Sequence, residues 1–264
     1  MENIYLPFIS KIISITEHTD IDYTFRMEYH GEDVKPGQFF EVSVPKYGEA
    51  PISVCGIGEG YVDLTIRRVG VVTDVIHSFF PGDKLFIRGP YGNGFDIDKY
   101  KNKEVIVAAG GTGLAPVKGI VDYFAANSGD AKNFTVMMGF KSPKDILFKE
   151  DIKEWSKTIN AYLTVDKAEE DYQGRVGLIT GLVNEIEIDN LEEAQVIVVG
   201  PPIMMKFTVG EFIKRGIKEE NIWVSYERKM CCGVGKCGHC KMDDTYICLD
   251  GPVFNFVEAK HLVD

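Results

Sequence analysis

The segment Met230-Cys231-Cys232-Gly233-Val234-Gly235-Lys236-Cys237-Gly238-His239-Cys240, with Cys248 a short polar hairpin later, gathers five of the six cysteines into the last 34 residues. Cys232, Cys237, Cys240 and Cys248 are spaced C-x4-C-x2-C-x7-C. This is the plant-type [2Fe-2S] spacing with a shortened last interval. Gly233, Gly235 and Gly238 let the backbone curl, so that thiolates and main-chain N–H groups can converge on one small inorganic core. A structural zinc held by four cysteines uses the same residue types. Zinc ribbons usually carry two short pairs, however, and Cys237/Cys240 is the one clean pair here. Cys231 would stretch the first interval to x5 and falls off the pattern. Cys237-x-His239 matches half of a Rieske pattern, but Cys248 is followed by Leu249, Asp250 and Gly251 rather than by a histidine at the required step. His239 is therefore expected beside the cluster or in solvent.

Two further constellations could bind phosphate. Gly110-Gly111-Thr112-Gly113-Leu114-Ala115-Pro116 stands between a strand-like and a helix-like stretch. Bare backbone at a helix start offers N–H groups and partial positive charge to a pyrophosphate. It is not the G-x-G-x-x-G fingerprint, because Pro116 takes the third glycine's place and no acid ends the next strand, where Gly139-Phe140-Lys141 stand. A tight structural turn is the competing reading. Gly200-Pro201-Pro202 follows a later strand at the same carboxyl edge, where ligands bind in such sheets. Nearer the N-terminus, Ala50-Pro51-Ile52-Ser53 and Ile66-Arg67-Arg68-Val69-Gly70, with Thr73 opening a helix, form the other candidate. An arginine there could hold phosphate bidentately; the alternative is that Arg67 and Arg68 merely alternate out of an edge strand. No Ser/His/Asp set or carboxylate pair stands out, so no catalytic residue is assigned. A nicotinamide delivers two electrons as hydride and a [2Fe-2S] cluster passes one at a time, so a flavin is expected between them. The Pro51–Thr73 region is the remaining place for it.

The elements that must carry these residues change character along the chain. Residues 1–100 show short alternating runs at Ile9–Ile15, Tyr23–Tyr29, Phe39–Val44, Tyr61–Arg68 and Lys84–Arg88, broken by Gly and Pro, with one helical stretch from Val72 to Phe79. That pattern predicts an antiparallel β-barrel flavin domain. From 101 to 225, apolar runs at Glu104–Ala109, Phe134–Phe140, Ala161–Val165, Gln195–Val199 and Ile222–Ser225 alternate with helical segments, including Ala115–Ala126, Lys149–Lys157 and Ile203–Arg215. This predicts a doubly wound parallel sheet for a nucleotide. Residues 226–264 form a small C-terminal [2Fe-2S] module. The fold class expected is thus multidomain β plus α/β.

Composition narrows the partners. A formal net charge of −11 argues against nucleic acid, whose phosphates need a basic face. No run approaches bilayer-spanning length and the amino-terminal residues lack an export signal, so a cytoplasmic location without membrane contact is expected. In a reducing compartment, clustered cysteines mean metal more often than disulfide.

Barrel, Gly-Gly-Thr-Gly-Leu-Ala-Pro sheet domain and cysteine tail together resemble the ferredoxin–NADP reductase superfamily over nearly the full length. The order is similar to electron-transfer subunits such as that of dihydroorotate dehydrogenase B. The tail Tyr226–Cys232, Gly235–Cys240 and Leu249–Phe254 looks closest to the electron-transfer subunit of anaerobic sulfite reductase, and hydrogenase gamma subunits have a similar tail. The resemblance implies FAD, a [2Fe-2S] cluster and NADH as cofactors. Pro51, Ile52 and Ser53 would line the flavin, Ile66 and Arg67 would meet its ring edge and phosphates, and Thr73 would cap the helix against its pyrophosphate. Val69 lies in the same segment. Ala50 replaces an arginine common in relatives and Gly70-Val71-Val72-Thr73 lacks one of their glycines, so weak flavin binding is expected. Val199 stands where relatives carry a cysteine. Asp166, at a strand end that in NADP-dependent relatives presents Ser and Arg, would repel a 2′-phosphate and favour NADH. The partners implied are other subunits of an anaerobic reductase, a sirohaem sulfite reductase component first. Dihydroorotate dehydrogenase, hydrogenase or ferredoxin:NAD(P) transhydrogenase are the alternatives, and a non-catalytic electron-transfer adapter is a further one. Arg228, Lys229, Lys236 and Lys241 would face the partner.

Overall fold

The computed structural model describes residues 4–262. Six strands, β1 (Phe8–Glu17), β2 (Asp22–Glu28), β3 (Phe39–Val44), β4 (Gly48–Gly58), β5 (Tyr61–Arg67) and β6 (Lys84–Tyr91), close an antiparallel barrel in the order β1-β2-β5-β4-β3-β6. Alternation along the strands fills it. Phe25 and Met27 of β2 point inward opposite Leu64 and Val62 of β5, and all four are fully buried. Helix α1 (Val71–Ile76) covers one end, with Ile76 buried among the barrel residues. The strand β4 lies outside the sequence expectation. Gly48, Pro51, Gly56 and Gly58 mask its alternation, and its ladder with β5 slips between Val54 and Gly56.

The second unit begins at Asp96. Its parallel strands β7 (Glu104–Gly110), β8 (Asn133–Phe140), β9 (Asn160–Val165), β10 (Arg175–Val176), β11 (Gln195–Val199) and β12 (Ile222–Ser225) run in the order β10-β9-β8-β7-β11-β12. Helices α2 (Leu114–Ala126), α3 (Lys149–Trp155), α4 (Ile179–Leu182) and α5 (Pro202–Arg215) make the connections. The strands β7 and β11 are buried throughout, as parallel strands covered on both faces must be. Strand order reverses between β7 and β11, which creates the switch point where such sheets bind ligands.

The tail contributes β13 (Lys241–Met242), β14 (Thr245–Tyr246), α6 (Ile247–Asp250), β15 (Val253–Asn255) and α7 (Phe256–Ala259), with β15 the final strand of the larger sheet. Contacts group Tyr226–Val253 with the barrel and the chain from Phe254 with the parallel sheet.

One ion pair locks the barrel where β2 starts and β5 ends. Asp22 is 1% exposed and takes two bonds from Arg67, Nε to Oδ1 at 2.7 Å and Nη2 to Oδ2 at 3.0 Å. Removing one partner leaves the buried carboxylate uncompensated. Arg67→Ala is expected to destabilise the chain by about 3 kcal/mol, measurable by denaturant melts, with part recovered in the Asp22→Asn/Arg67→Ala double variant. Unchanged stability in the single variant would contradict this role.

Candidate functional site

The cysteine tail is fastened to the barrel by two polar side chains a few residues apart in the chain. Asn93, just after β6, donates from Nδ2 to the carbonyls of Asp250 (3.0 Å) and Val253 (2.7 Å) and accepts from Val253 N–H at 3.2 Å. Arg88, within β6, reaches the ligand loop itself. Its Nη1 donates to Cys232 O at 2.6 Å and its Nη2 to Cys231 O at 2.8 Å. Glu49 holds the other side of the guanidinium, accepting from Nη2 at 2.6 Å and Nε at 3.1 Å. Burial works against this charge, but the Glu49 bonds prevail and the guanidinium pKa is raised. Glu41 of β3 lies fully buried beside it, 3.9 Å from Nη2, and neither carboxylate oxygen has a hydrogen-bond partner. Burial pushes that carboxyl up to about 7 against the pull of Arg88. The sequence reading missed both Arg88 and Glu41. The signal available was a charged residue inside each of two apolar strand runs, Phe39-Phe40-Glu41-Val42 and Leu85-Phe86-Ile87-Arg88.

The loop then curls as its glycines permit. Gly233 sits at φ 73° with the Tyr91 ring where a Cβ would stand, 2.7 Å away, so no side chain fits there. This curl turns main-chain donors onto sulfur. Cys232 Sγ accepts from the N–H groups of Val234 (3.5 Å), Lys236 (3.3 Å) and Cys237 (3.4 Å), and Cys248 Sγ accepts from Gly235 N–H at 3.2 Å. The sulfurs stand as two pairs, Cys232 with Cys237 and Cys240 with Cys248, the latter at 3.2 Å. Among the described residues no three His, Cys, Asp or Glu side chains close into a single metal site. The donor set nevertheless suits an iron–sulfur cluster, since thiols with backbone N–H groups aimed at sulfur are what tune such a core. Cys237 is exposed, and the His239 N–H holds its thiol below the ordinary range, whereas burial pushes Cys231 up. Around the tip, Lys236 lies exposed with its Nζ 5.3 Å from the centre of the Tyr5 ring, and Lys241 pairs with Asp244 at 3.3 Å. Leu249 is 57% exposed, next to Cys248 in sequence.

The residues expected around a flavin divide into open and engaged groups. Pro51, Ile52 and Ser53 on β4 are half-buried, and Val69 is exposed. Ile66 is fully buried in the barrel core, and its carbonyl bonds His77 Nε2 at 2.9 Å. Arg67 grips Asp22, as described. Thr73 is buried, and its Oγ1 accepts from the N–H groups of Val69 and Gly70 and donates to Gly70 O, each at 3.0 Å. It thus shapes the turn before α1. Cys55 is a buried barrel residue whose thiol donates to Asp63 O at 3.2 Å and accepts from Thr65 Oγ1 at 3.1 Å.

In the parallel-sheet unit, the two glycine loops meet at the switch point. A Cβ on Gly113 would stand 2.7 Å from Gly200 Cα and from Val199 O, so only glycine lets these backbones approach. Gly110 is covered by Met204, whose Sδ would lie 2.2 Å from an added Cβ. Gly111 and Thr112 are half-buried and Pro201 is exposed, giving a bare backbone edge between β7 and β11. Asp166, exposed after β9, is anchored by its N–H to Phe140 O at 2.8 Å.

Comparison with known proteins decides between these chemistries. Residues 107–210 match the oxidoreductase NAD-binding domain, and residues 227–260 match the iron–sulfur cluster binding domain of dihydroorotate dehydrogenase B. Sulfhydrogenase 2 subunit gamma of Pyrococcus furiosus is 35% identical over 97% of both chains. The chain belongs to the ferredoxin–NADP reductase-like electron-transfer subunits. Another relative is the electron transfer subunit of dihydroorotate dehydrogenase B (NAD(+)) from Clostridium perfringens, 32% identical over 88% of this chain and 89% of that one. The structure of an NADH-dependent reduced ferredoxin–NADP oxidoreductase shares the fold, with a TM-score of 0.79 at 24% identity over 94% of this chain and 88% of that one. The cofactors of this electron-transfer subunit are FAD, NADH and a [2Fe-2S] cluster, and zinc is set aside. None of these relatives is part of a sulfite reductase. No helix of the described residues is long and apolar enough to cross a membrane.

We propose Cys232, Cys237, Cys240 and Cys248 as the cluster ligands, with Cys231 outside the set. Cys231→Ser is expected to keep the electron paramagnetic resonance signal of the reduced chain and Cys232→Ser to abolish it; the reverse pattern would overturn the assignment.

Proposed function

We propose that this chain is the NADH-linked subunit of a hydrogenase-type complex, delivering single electrons to or from a catalytic partner through its cysteine tail. The observation that carries this reading is the end-to-end match with sulfhydrogenase gamma subunits, since the match covers 97% of the chain and of that relative. When bound, FAD and the cluster together convert two-electron hydride chemistry into one-electron delivery. The chain's own residues supply the rest. Gly111, Thr112, Gly200 and Pro201 present backbone to the dinucleotide, Gly110 and Gly113 let the two turns pack beneath it, and Asp166 selects against a 2′-phosphate. Pro51, Ile52 and Ser53 line the flavin from β4. The exposed tip around Lys236, Cys237 and Leu249 offers the partner an apolar and basic face on a chain of net charge −11.

A second reading, service to a dihydroorotate dehydrogenase, is favoured by the match of residues 227–260 to that enzyme's cluster-binding domain. The sirohaem partner is a third arm of the same test. The native complex should reduce NAD+ with H2, prefer NADH over NADPH by tenfold or more in kcat/KM (about 1.4 kcal/mol), and lose that preference in Asp166→Ser. Turnover of dihydroorotate or sulfite without H2 oxidation would replace the hydrogenase reading. A higher kcat/KM with NADPH would defeat the role of Asp166.

A further inference from the structure

Arg88 is buried to 6% exposure. Its donors go to Glu49, to Tyr91 Oη at 3.2 Å and to the carbonyls of Cys231 and Cys232. Two consecutive peptide carbonyls held by one guanidinium fix both the direction and the pitch of the chain entering the ligand loop. The three N–H groups aimed at Cys232 Sγ belong to the residues that follow at once, at positions 234, 236 and 237. Any rotation of the Cys231–Cys232 peptides would swing those donors off the sulfur.

We infer that Arg88 is a positioning residue for the iron–sulfur site: through the Cys231 and Cys232 carbonyls it sets the donor geometry at Cys232, and its buried charge favours the reduced state of the group held there. This rests on the cluster assignment above and goes beyond it. The electrostatic part follows from sign. A one-electron reduction adds negative charge to the site, and a nearby buried cation in a poorly polarisable surrounding offsets it. Glu49 opposes the effect with its own charge, and Glu41 stands behind the guanidinium without a hydrogen bond of its own. The geometric part follows from shape. A planar fork can grip Glu49 and two carbonyls at once, whereas a lysine ammonium is a single point charge. Charge and shape therefore separate experimentally.

The test uses the full chain with its cofactors, iron content and visible absorbance being measured before anything else. At a fixed applied potential near the wild-type midpoint, Arg88→Gln should lower the ratio of reduced to oxidised cluster at least tenfold, equivalent to about 59 mV for a one-electron couple. Arg88→Lys should restore most of that ratio while keeping an altered paramagnetic resonance line shape, because the charge returns and the double carbonyl grip does not. Glu49→Gln should move the ratio in the opposite direction. Opposite signs from two neighbouring variants are not produced by general unfolding, and Glu49→Gln keeps the proposal testable if Arg88→Gln fails to assemble its cluster. Wild-type ratio and line shape in Arg88→Gln, or a fall in the ratio in Glu49→Gln, would overturn the inference. A wild-type chain without iron would instead sink the cluster reading itself.

Discussion

A cysteine loop cannot organise itself. Nothing in Cys231–Cys240 is long enough or apolar enough to fold alone, so its geometry must be borrowed from a body that already has a core. The barrel lends it through Arg88 and Asn93, two polar side chains on and just after the last barrel strand, which together bond five backbone groups of the tail. The barrel's closed ladder holds β6 in place, β6 holds Arg88, and Arg88 holds the peptides that start the ligand loop. Burying a guanidinium is costly unless its donors are satisfied, and the Glu49 pair with the two carbonyls meets that condition.

The consequence for function is that the one-electron site and the candidate flavin segment belong to one compact unit. Pro51 pairs directly with Glu41 across the β3–β4 ladder, and Glu41 lies 3.9 Å from Arg88, which touches the cysteine loop. The nucleotide loops belong to the other unit, where glycine at 113 and 200 lets two turns approach to backbone contact. Electron entry by hydride and electron exit by single steps are thus assigned to separately stabilised parts of one chain.

Much of this was legible in the sequence because the signals were local. Alternation in Tyr23–Tyr29 and Tyr61–Arg68, the buried run Glu104–Ala109 and the cysteine spacing each report on a few neighbouring residues. Where the sequence reading fell short, the cause was distance along the chain or a masked pattern. The strand β4 was hidden by its own Gly and Pro residues. Arg67 read as a phosphate ligand from its type alone, and its bond to Asp22, 45 positions earlier, lay beyond any local pattern. The alternation that places the Ile66 side chain in the barrel core leaves only its backbone for the proposed flavin contact. Arg88 and Glu49 carry no motif at all, since Arg88 takes its meaning from partners 39 and 143 residues away. The partner was over-specified for a similar reason: the tail's motifs are shared by several kinds of electron-transfer chain, and the full-length likeness to hydrogenase gamma subunits weighs more than the tail alone.

Everything else rests on one chain carrying both a two-electron and a one-electron centre. Anaerobic reductive titration of the reconstituted chain, followed by visible absorbance and paramagnetic resonance, tests this directly. The expected result is uptake of about three electrons per chain, two at the flavin and one at the cluster, with NADH able to supply them. Uptake of only two, with no paramagnetic signal, or of only one, with no flavin bleaching, would contradict it.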